Sequence, residues 1–482
     1  MSALDAALAR IHASPQGPQI GAFFDFDGTL IDCYSAAAYL GERIRNREMG
    51  VRELIDTVRL ARSGPLDEAQ FGAVIGKAVG DWSGETEDDM RALWQRLFVA
   101  KISSTLFPEA WKLVHAHQQR GHTVAIASSA TPYQIEPLAR EYGIEHVLAT
   151  QPKLRKGKLT GGIVGEPLWG SGKAKAVQRF AEEQRVDLAQ SFAYANGDED
   201  LAFLQTVAHP TAVQAKPQLA QAAAQSGWPS LSFAPRRHAP PRAIARTVGA
   251  YGAMGLTFLA GLGFAKLRGD PRRAVDFIAA TASDAALAIL GVDVEVHGEQ
   301  HLWSQRPCVF IINHQSKFDM YLMMYLVRRG FTGVAKIEAA STPGFGTFMK
   351  MADMAFLDRG NSQKAIDALA PVVERLQRGL SVAIAPEGTR SYSPRIGKFK
   401  KGAFHMARQA GVPVVPVVIR NSGEIMGRND QTMRAGTIQV AVLPPVQVTH
   451  WTAEELDARV AEVRQSMIDT IEHWPTALRG AA

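Results

Sequence analysis

At 482 residues the chain exceeds one ordinary domain, and a hydrophobic content of 46% supplies more than one core. Its two cysteines, Cys33 and Cys308, lie far apart, which excludes a disulfide framework and suits a reduced cytosolic setting. The net charge of +6 is unevenly placed: between Arg236 and Arg273 eight basic residues face one acid, a segment charge of +7 that leaves −1 for the rest. One basic stretch without general basic character argues against nucleic acid as a partner.

In chain order, residues 1–20 read as a short amphipathic lead-in without a charged-then-apolar targeting pattern, so the N-terminal domain is expected in the cytosol. Residues 20–26 form a short apolar run, as for a buried parallel strand. A mostly helical region is predicted from 34 to about 100, with strands returning at 123–127 and 192–195. The Pro- and Arg-rich stretch 234–241 is the clearest linker and divides the chain into residues 1–234 and a second half. After it comes the uncharged run 247–265, whose nineteen residues would reach roughly 28 Å as a helix, about a bilayer core. Gly249, Gly252, Gly255, Gly261 and Gly263 weaken its hydrophobicity, and both flanks are basic. A second apolar stretch, 275–290, is interrupted by Asp276 and Asp284 and reads as amphipathic. The expectation is a pair of helices on or in one leaflet over 235–290, with the arginines on anionic lipid headgroups; a true span and buried core helices are the alternatives. Beyond it, Val292, Val294 and Val296 alternate with acids like an edge strand, and apolar runs at 308–312, 354–357, 382–385 and 412–419 alternate with helical segments. Both halves therefore read as α/β.

The first half carries Asp25-Phe26-Asp27-Gly28-Thr29-Leu30 directly after its apolar strand. Two carboxylates two apart at a strand end, with Gly28 relaxing the turn, can share a cation and divide nucleophile and acid/base roles. The bland alternative is that the Asp pair only caps the following helix. Ser128 after the second strand, Lys173 in Gly170-Ser171-Gly172-Lys173, and Asn196-Gly197-Asp198-Glu199-Asp200 accompany the pair. In that order the motifs resemble the haloacid dehalogenase superfamily, in its phosphoserine-phosphatase-like branch, over nearly all of residues 18–233. The resemblance implies a doubly wound parallel sheet with a helical cap at about 34–100. It also implies that Asp25 attacks phosphorus and Asp27 acts as acid and base. Ser128 and Lys173 would hold phosphoryl oxygens, and Asp25, Asp27, Asn196 and Asp200 would hold Mg²⁺. Asn196 stands where many members carry a metal-binding Asp, and an alternative register uses Asp198, so a degenerate domain kept for structure or regulation is a second reading. The substrate is not legible; phosphoserine is only the name that comes with the resemblance.

The second half carries Asn313-His314-Gln315-Ser316-Lys317-Phe318-Asp319 and, about seventy residues later, Glu387-Gly388-Thr389-Arg390. A His with an Asp five positions on can be a base and its orienter, and without a Ser or Cys nucleophile motif beside it the activated hydroxyl can be the substrate's. An Arg after a Gly turn suits a phosphate. With Lys336, Arg359 and the run Val412-Pro413-Val414-Val415-Pro416-Val417, these motifs resemble the glycerolipid acyltransferase family, specifically 1-acylglycerol-3-phosphate acyltransferases, over about 290–445. The resemblance implies a second α/β domain over 291–482, at the cytoplasmic face of the membrane. There His314 would deprotonate the hydroxyl of lysophosphatidic acid for attack on the thioester of acyl-CoA or acyl-carrier protein, with no metal required. Asp319 would orient His314; Lys336, Arg359 and Arg390, with Gly388 and Thr389 beside them, would grip the glycerol phosphate. Glu387 would bond a glycerol hydroxyl or position the arginines. Two other readings stay open: a phosphatase as the main activity with a lipid-docking module, and a non-enzymatic membrane adaptor.

Overall fold

Residues Gly21–Phe24 are buried throughout, and a strand buried on both faces must have helices on both sides. The computed structural model, which describes residues 2–50, 68–236, 239–341, 345–357 and 370–475, divides into two compact units, Met1–His238 and Ala239–Ala482.

In the first unit the strands are β1 (Gly21–Phe24), β2 (Thr123–Ser128), β3 (His146–Ala149), an antiparallel hairpin of β4 (Pro152–Arg155) and β5 (Lys158–Ile163), then β6 (Phe192–Ala195), β7 (His209–Val213) and β8 (Ser230–Leu231). All but the hairpin join one parallel sheet in the order β3-β2-β1-β6-β7-β8. The chain leaves β1 toward β2 and β3 and returns on the other side at β6, so a topological switch point lies at β1, where α/β sheets open a crevice beyond their carboxyl ends. Helices Ser35–Arg45, Glu68–Gly80 and Glu87–Leu97 form the insert after β1, the last started by a Thr86–Asp89 capping box. This matches the predicted helical region, of which residues 51–67 lie outside those described.

The second unit holds β9 (Val292–His297), β10 (Val309–Ile312), β11 (Phe331–Lys336), β12 (Ala355–Leu357), β13 (Ser381–Ile384), β14 (Val414–Ile419) and β15 (Gly436–Val442). They form one sheet, β12-β11-β13-β10-β14-β15-β9, parallel except for the β14/β15 pair. The alternating run Val292, Val294, Val296 lies at an edge, as its pattern predicts. Along β10 the period of two divides the core: Phe310 and Ile312 pack with helices Pro271–Leu290 and Phe318–Val327, while Val309 and Ile311 pack with helices Ala370–Gln377, Gly402–Ala410 and Leu456–Glu472.

Two helices, Pro241–Arg268 and Pro271–Leu290, occupy the predicted membrane-associated region. The second is a core helix whose Val275, Ile278, Ala282 and Leu290 are buried against the sheet. Its Asp276 and Asp284, which interrupt the apolar run, reach Gly330 N and the Arg328 guanidinium. The first helix packs on the second and is, by length and composition, able to cross a membrane; only 11% of its most apolar stretch is buried. Val248, Leu256, Leu259 and Leu267 lie exposed on it, the last at 86%. Its glycines have a packing role at one point: a Cβ on Gly261 would lie 2.3 Å from Ile278 Cγ1. Gly261→Leu is expected to destabilise the detergent-solubilised protein by about 1–3 kcal/mol through forced separation of the pair. An unchanged thermal midpoint would show that the helices do not meet there.

Candidate active sites

In a parallel sheet the carboxyl ends of adjacent strands converge, and the second unit places its chemistry there. His314 follows β10, Glu387 follows β13 and Lys336 ends β11, three adjacent strands in the order β11-β13-β10. The loop after β10 is clamped to β14 by buried side chains. Asn313 Oδ1 accepts from Ile419 N at 2.7 Å, Asn313 Nδ2 donates to Ile419 O at 2.8 Å, and Gln315 Nε2 donates to the same carbonyl at 3.0 Å. His314 Nδ1 meets Asp319 Oδ2 at 2.7 Å. Asp319 is fully buried, and its carboxylate also accepts from Gln315 N at 2.9 Å, Ser316 N at 3.0 Å and the Ser422 hydroxyl. With Nδ1–H donated to this anion, the lone pair of His314 sits on Nε2, and the partly exposed imidazole borders a cavity of about 370 Å³. Met320, Met323, Phe331, Phe348 and Met354 make that cavity apolar and adaptable.

Glu387 does something the sequence did not suggest. Its Oε1 accepts from His314 N at 2.9 Å and its Oε2 from Gly397 N at 2.7 Å, while Ser391 N donates to His314 O at 2.8 Å. The glutamate therefore fixes the backbone of His314. Burial pushes its carboxyl up, opposed by these two N–H bonds. Gly388 has φ +74°, a left-handed conformation that favours glycine at this turn. The Arg390 and Arg428 guanidinium groups each donate to the other's backbone carbonyl, Arg428 also reaches Thr389 Oγ1 at 3.2 Å, and it stacks on Tyr392 at 4.1 Å. Lys317 completes a cationic group: surrounding protein, and then the Arg390 charge, push its ammonium down. The side chain of Lys336 and the whole of Arg359 lie outside the described residues.

In the first unit Asp25 follows β1, Ser128 ends β2 and Asn196 follows β6, so the three motifs meet at the switch point. Buried Lys173 donates to Asp25 Oδ1 at 2.8 Å and Asp200 Oδ1 at 2.5 Å, and Asp200 Oδ2 accepts from Gly197 N. Burial alone would push this ammonium down, but the Asp200 and Asp25 charges outweigh it and hold it above the usual lysine range. Thr29 Oγ1 lies 3.3 Å from Asp25 Oδ2 and 3.4 Å from Asn196 Oδ1. Asn196 packs on Gly28, whose φ is +81° and where a Cβ would lie 2.1 Å from Asn196 Nδ2. Both Asp27 oxygens accept from Ser35, its N at 2.8 Å and its hydroxyl at 3.0 Å. Burial, reinforced by the Asp25 charge and opposed by Ser35, pushes Asp27 up to about 7, which suits a group that gives and takes protons near neutrality. Asp198 caps Leu219 N at 2.8 Å instead of facing the site, which favours the register through Asn196 and Asp200. Among the described residues no three His, Cys, Asp or Glu side chains converge as a metal cluster. The side-chain oxygens of Asp25, Asn196 and Asp200 form a hard-donor set of the kind Mg²⁺ accepts.

A family model for acyltransferases matches residues 293–420, and one for haloacid dehalogenase-like hydrolases matches residues 22–205. The 1-acyl-sn-glycerol-3-phosphate acyltransferase of Saccharomyces cerevisiae is 35% identical over 187 residues, 38% of this chain and 61% of that protein. The Homo sapiens 1-acyl-sn-glycerol-3-phosphate acyltransferase alpha is 33% identical over 193 residues, 40% of this chain and 68% of that protein. The chain belongs to the 1-acylglycerol-3-phosphate acyltransferase family. It joins that domain to a haloacid dehalogenase-like one. A solved 1-acyl-sn-glycerophosphate acyltransferase from Thermotoga maritima aligns at 26% identity over 49% of this chain and 98% of its own, with a TM-score of 0.42. The chain thus spans roughly three fifths to two thirds of the length of the first two curated relatives.

Within the acyltransferase domain, the sequence motif holds Asn313 and Gln315 beside His314 and Asp319 but gives them no role, and it does not single out Ser422 or Arg428, which stand in no spaced motif with that run. Lys317 was visible inside the His–Asp run, though nothing in one dimension set it beside Arg390. Asn313→Ala leaves the buried N–H of Ile419 without its side-chain partner and its C=O with Gln315 alone, and is expected to cost about 1–3 kcal/mol. Chemical denaturation checks this; a change within 0.5 kcal/mol would show that the clamp is dispensable.

Proposed function

We propose that the acyltransferase domain transfers an acyl group from acyl-CoA or acyl-carrier protein to the free hydroxyl of 1-acylglycerol 3-phosphate, giving phosphatidate. The observation that carries this reading is the 2.7 Å His314–Asp319 pair beside an apolar cavity, with a cationic group nearby. His314 Nε2 takes the hydroxyl proton as the oxygen attacks the thioester carbonyl, and buried Asp319 stabilises the imidazolium. On collapse the C–S bond breaks and the imidazolium returns its proton to the departing sulfur. Arg390, Arg428 and Lys317, with Lys336 and Arg359, hold the phosphate. The acyl chain occupies the methionine-lined cavity.

The first domain hydrolyses a phosphomonoester. Asp25 attacks phosphorus as the ester P–O bond breaks, and the departing oxygen takes the proton of Asp27. Asp27 then removes a proton from water, which cleaves the aspartyl phosphate and frees inorganic phosphate. Ser128 and Lys173 hold the phosphoryl oxygens. Mg²⁺ held by Asp25, Asn196 and Asp200 would supply charge neutralisation at the transferring phosphoryl group. The protein lies on anionic lipid at the cytoplasmic face of the membrane, a reading supported by the exposed apolar residues of helix Pro241–Arg268 and the arginines around it.

His314→Ala should abolish phosphatidate formation from labelled acyl-CoA and leave phosphate release intact. Asp25→Asn and chelation of divalent cations should do the reverse. Phosphatidate formed by His314→Ala at the wild-type rate would sink the acyl-transfer mechanism. Arg428→Ala is expected to raise KM for 1-acylglycerol 3-phosphate about tenfold, as for loss of a charge-assisted bond; an unchanged KM removes it from the phosphate site. Raising salt should release the protein from vesicles containing anionic lipid. Full retention in 1 M salt would mean deep insertion instead.

A further inference from the structure

The cavity above Asp25 is larger than the one beside His314, at about 650 Å³, within the range that holds a substantial organic ligand. Its catalytic floor is polar, with Asp25, Asp27, Ser128, Lys173 and Asn196. Its walls are not. Tyr39, Phe71, Val74, Trp82, Trp94 and Trp169 line it, drawn from all three insert helices, the turn after the second, and the loop before helix Ser171–Gln184. The aromatic walls brace one another: Phe71 stacks on Trp169 with centroids 4.9 Å apart, and Trp94 lies 5.7 Å from Tyr39 and 6.3 Å from Trp82. Such contacts build the apolar space into the fold.

Most of the charged side chains at the walls are engaged. Arg43 pairs with Asp81 at 2.6 Å and lies over the Tyr39 ring, and Glu199 pairs with Lys216 at 3.2 Å; Lys77 also lines the cavity but is exposed to water. A zwitterionic leaving group, with an ammonium and a carboxylate to bury, would face these walls at a high desolvation cost. A leaving alcohol that is itself apolar would gain from them.

We propose that the phosphatase substrate is a phosphomonoester of a large apolar alcohol, not of an amino acid. This rests on the hydrolytic reading of Asp25 and Asp27 and adds the class of alcohol released; the reaction consumes one water and yields that alcohol and inorganic phosphate. The chemistry can come from two sources, a monoacylated glycerol phosphate or a soluble aromatic phosphate.

The test uses the full chain carrying His314→Ala, in detergent with Mg²⁺, so that acyl transfer does not consume a lipid substrate. Phosphate release is measured from 1-decanoylglycerol 3-phosphate, glycerol 3-phosphate, 1-naphthyl phosphate and O-phosphoserine. The expected result is a kcat/KM for the decanoyl ester, the naphthyl ester or both at least about tenfold above glycerol 3-phosphate and O-phosphoserine, a modest return for burying a chain or ring system. Preference for the decanoyl over the naphthyl ester assigns the source as lipid, and the opposite preference assigns it as a soluble aromatic. Val74→Asp, which puts a charge on the wall, should reduce the ratio of decanoyl ester to glycerol 3-phosphate turnover. Should that variant fail to fold, the substrate series on the unaltered cavity still decides. O-phosphoserine or glycerol 3-phosphate hydrolysed as fast as the apolar esters overturns the proposed class while leaving the phosphatase reading standing. No Asp25-dependent release from any of the four overturns both.

Discussion

The Asp319 carboxylate is the interaction on which the acyltransferase site depends. It is fully buried, and water cannot help to hold the charge in place; four donors from two parts of the chain do so instead. Two are backbone N–H groups of its own loop, one is the imidazole, and the last is the Ser422 hydroxyl, which reaches the site from beyond β14. The loop geometry that brings them together is itself held by Asn313 and Gln315 on Ile419, so the position of His314 is tied to the central strands of the sheet. Glu387 adds a tie from the side of β13, through backbone groups of His314 and Gly397.

The phosphatase site solves a similar problem by opposite means. Two carboxylates, Asp25 and Asp200, share one buried ammonium, and that shared charge compensation lets three titratable groups lie within a few ångströms of each other. Asp27, one turn of chain away and bonded only to Ser35 among described partners, is left to respond to its burial. Two carboxylates two residues apart therefore sit in different surroundings, Asp25 on the Lys173 ammonium and Asp27 on the N–H and hydroxyl of Ser35.

Both domains place their reacting groups at the carboxyl ends of parallel strands, where backbone geometry leaves a crevice. They differ in what surrounds it. Methionines and phenylalanines beside His314 form an adaptable apolar space, while braced aromatic rings above Asp25 form a rigid one. The helix Pro241–Arg268 carries a third apolar surface, and its partner helix Pro271–Leu290 owes its stability to the sheet beneath it.

The sequence by itself determined the α/β class, the strands that end in Asp25, Ser128, Asn196 and His314, the helical insert, the linker and the apolar helix pair. Each of these follows from local rules: runs of apolar residues, a period of two, glycine turns and Pro-rich breaks. The same locality explains what it left undetermined. Ser422 on Asp319, Arg428 against Arg390, Glu387 on the backbone of His314, and the choice of Asp200 over Asp198 pair residues from tens to about a hundred positions apart, or depend on which face of a short turn points inward. Strands β15, β3 and β7 were likewise invisible, because their stability comes from neighbours in the sheet more than from their own composition. Only the packed sheet, by bringing the ends of non-consecutive strands side by side, decided which polar groups meet and which are left to face a substrate.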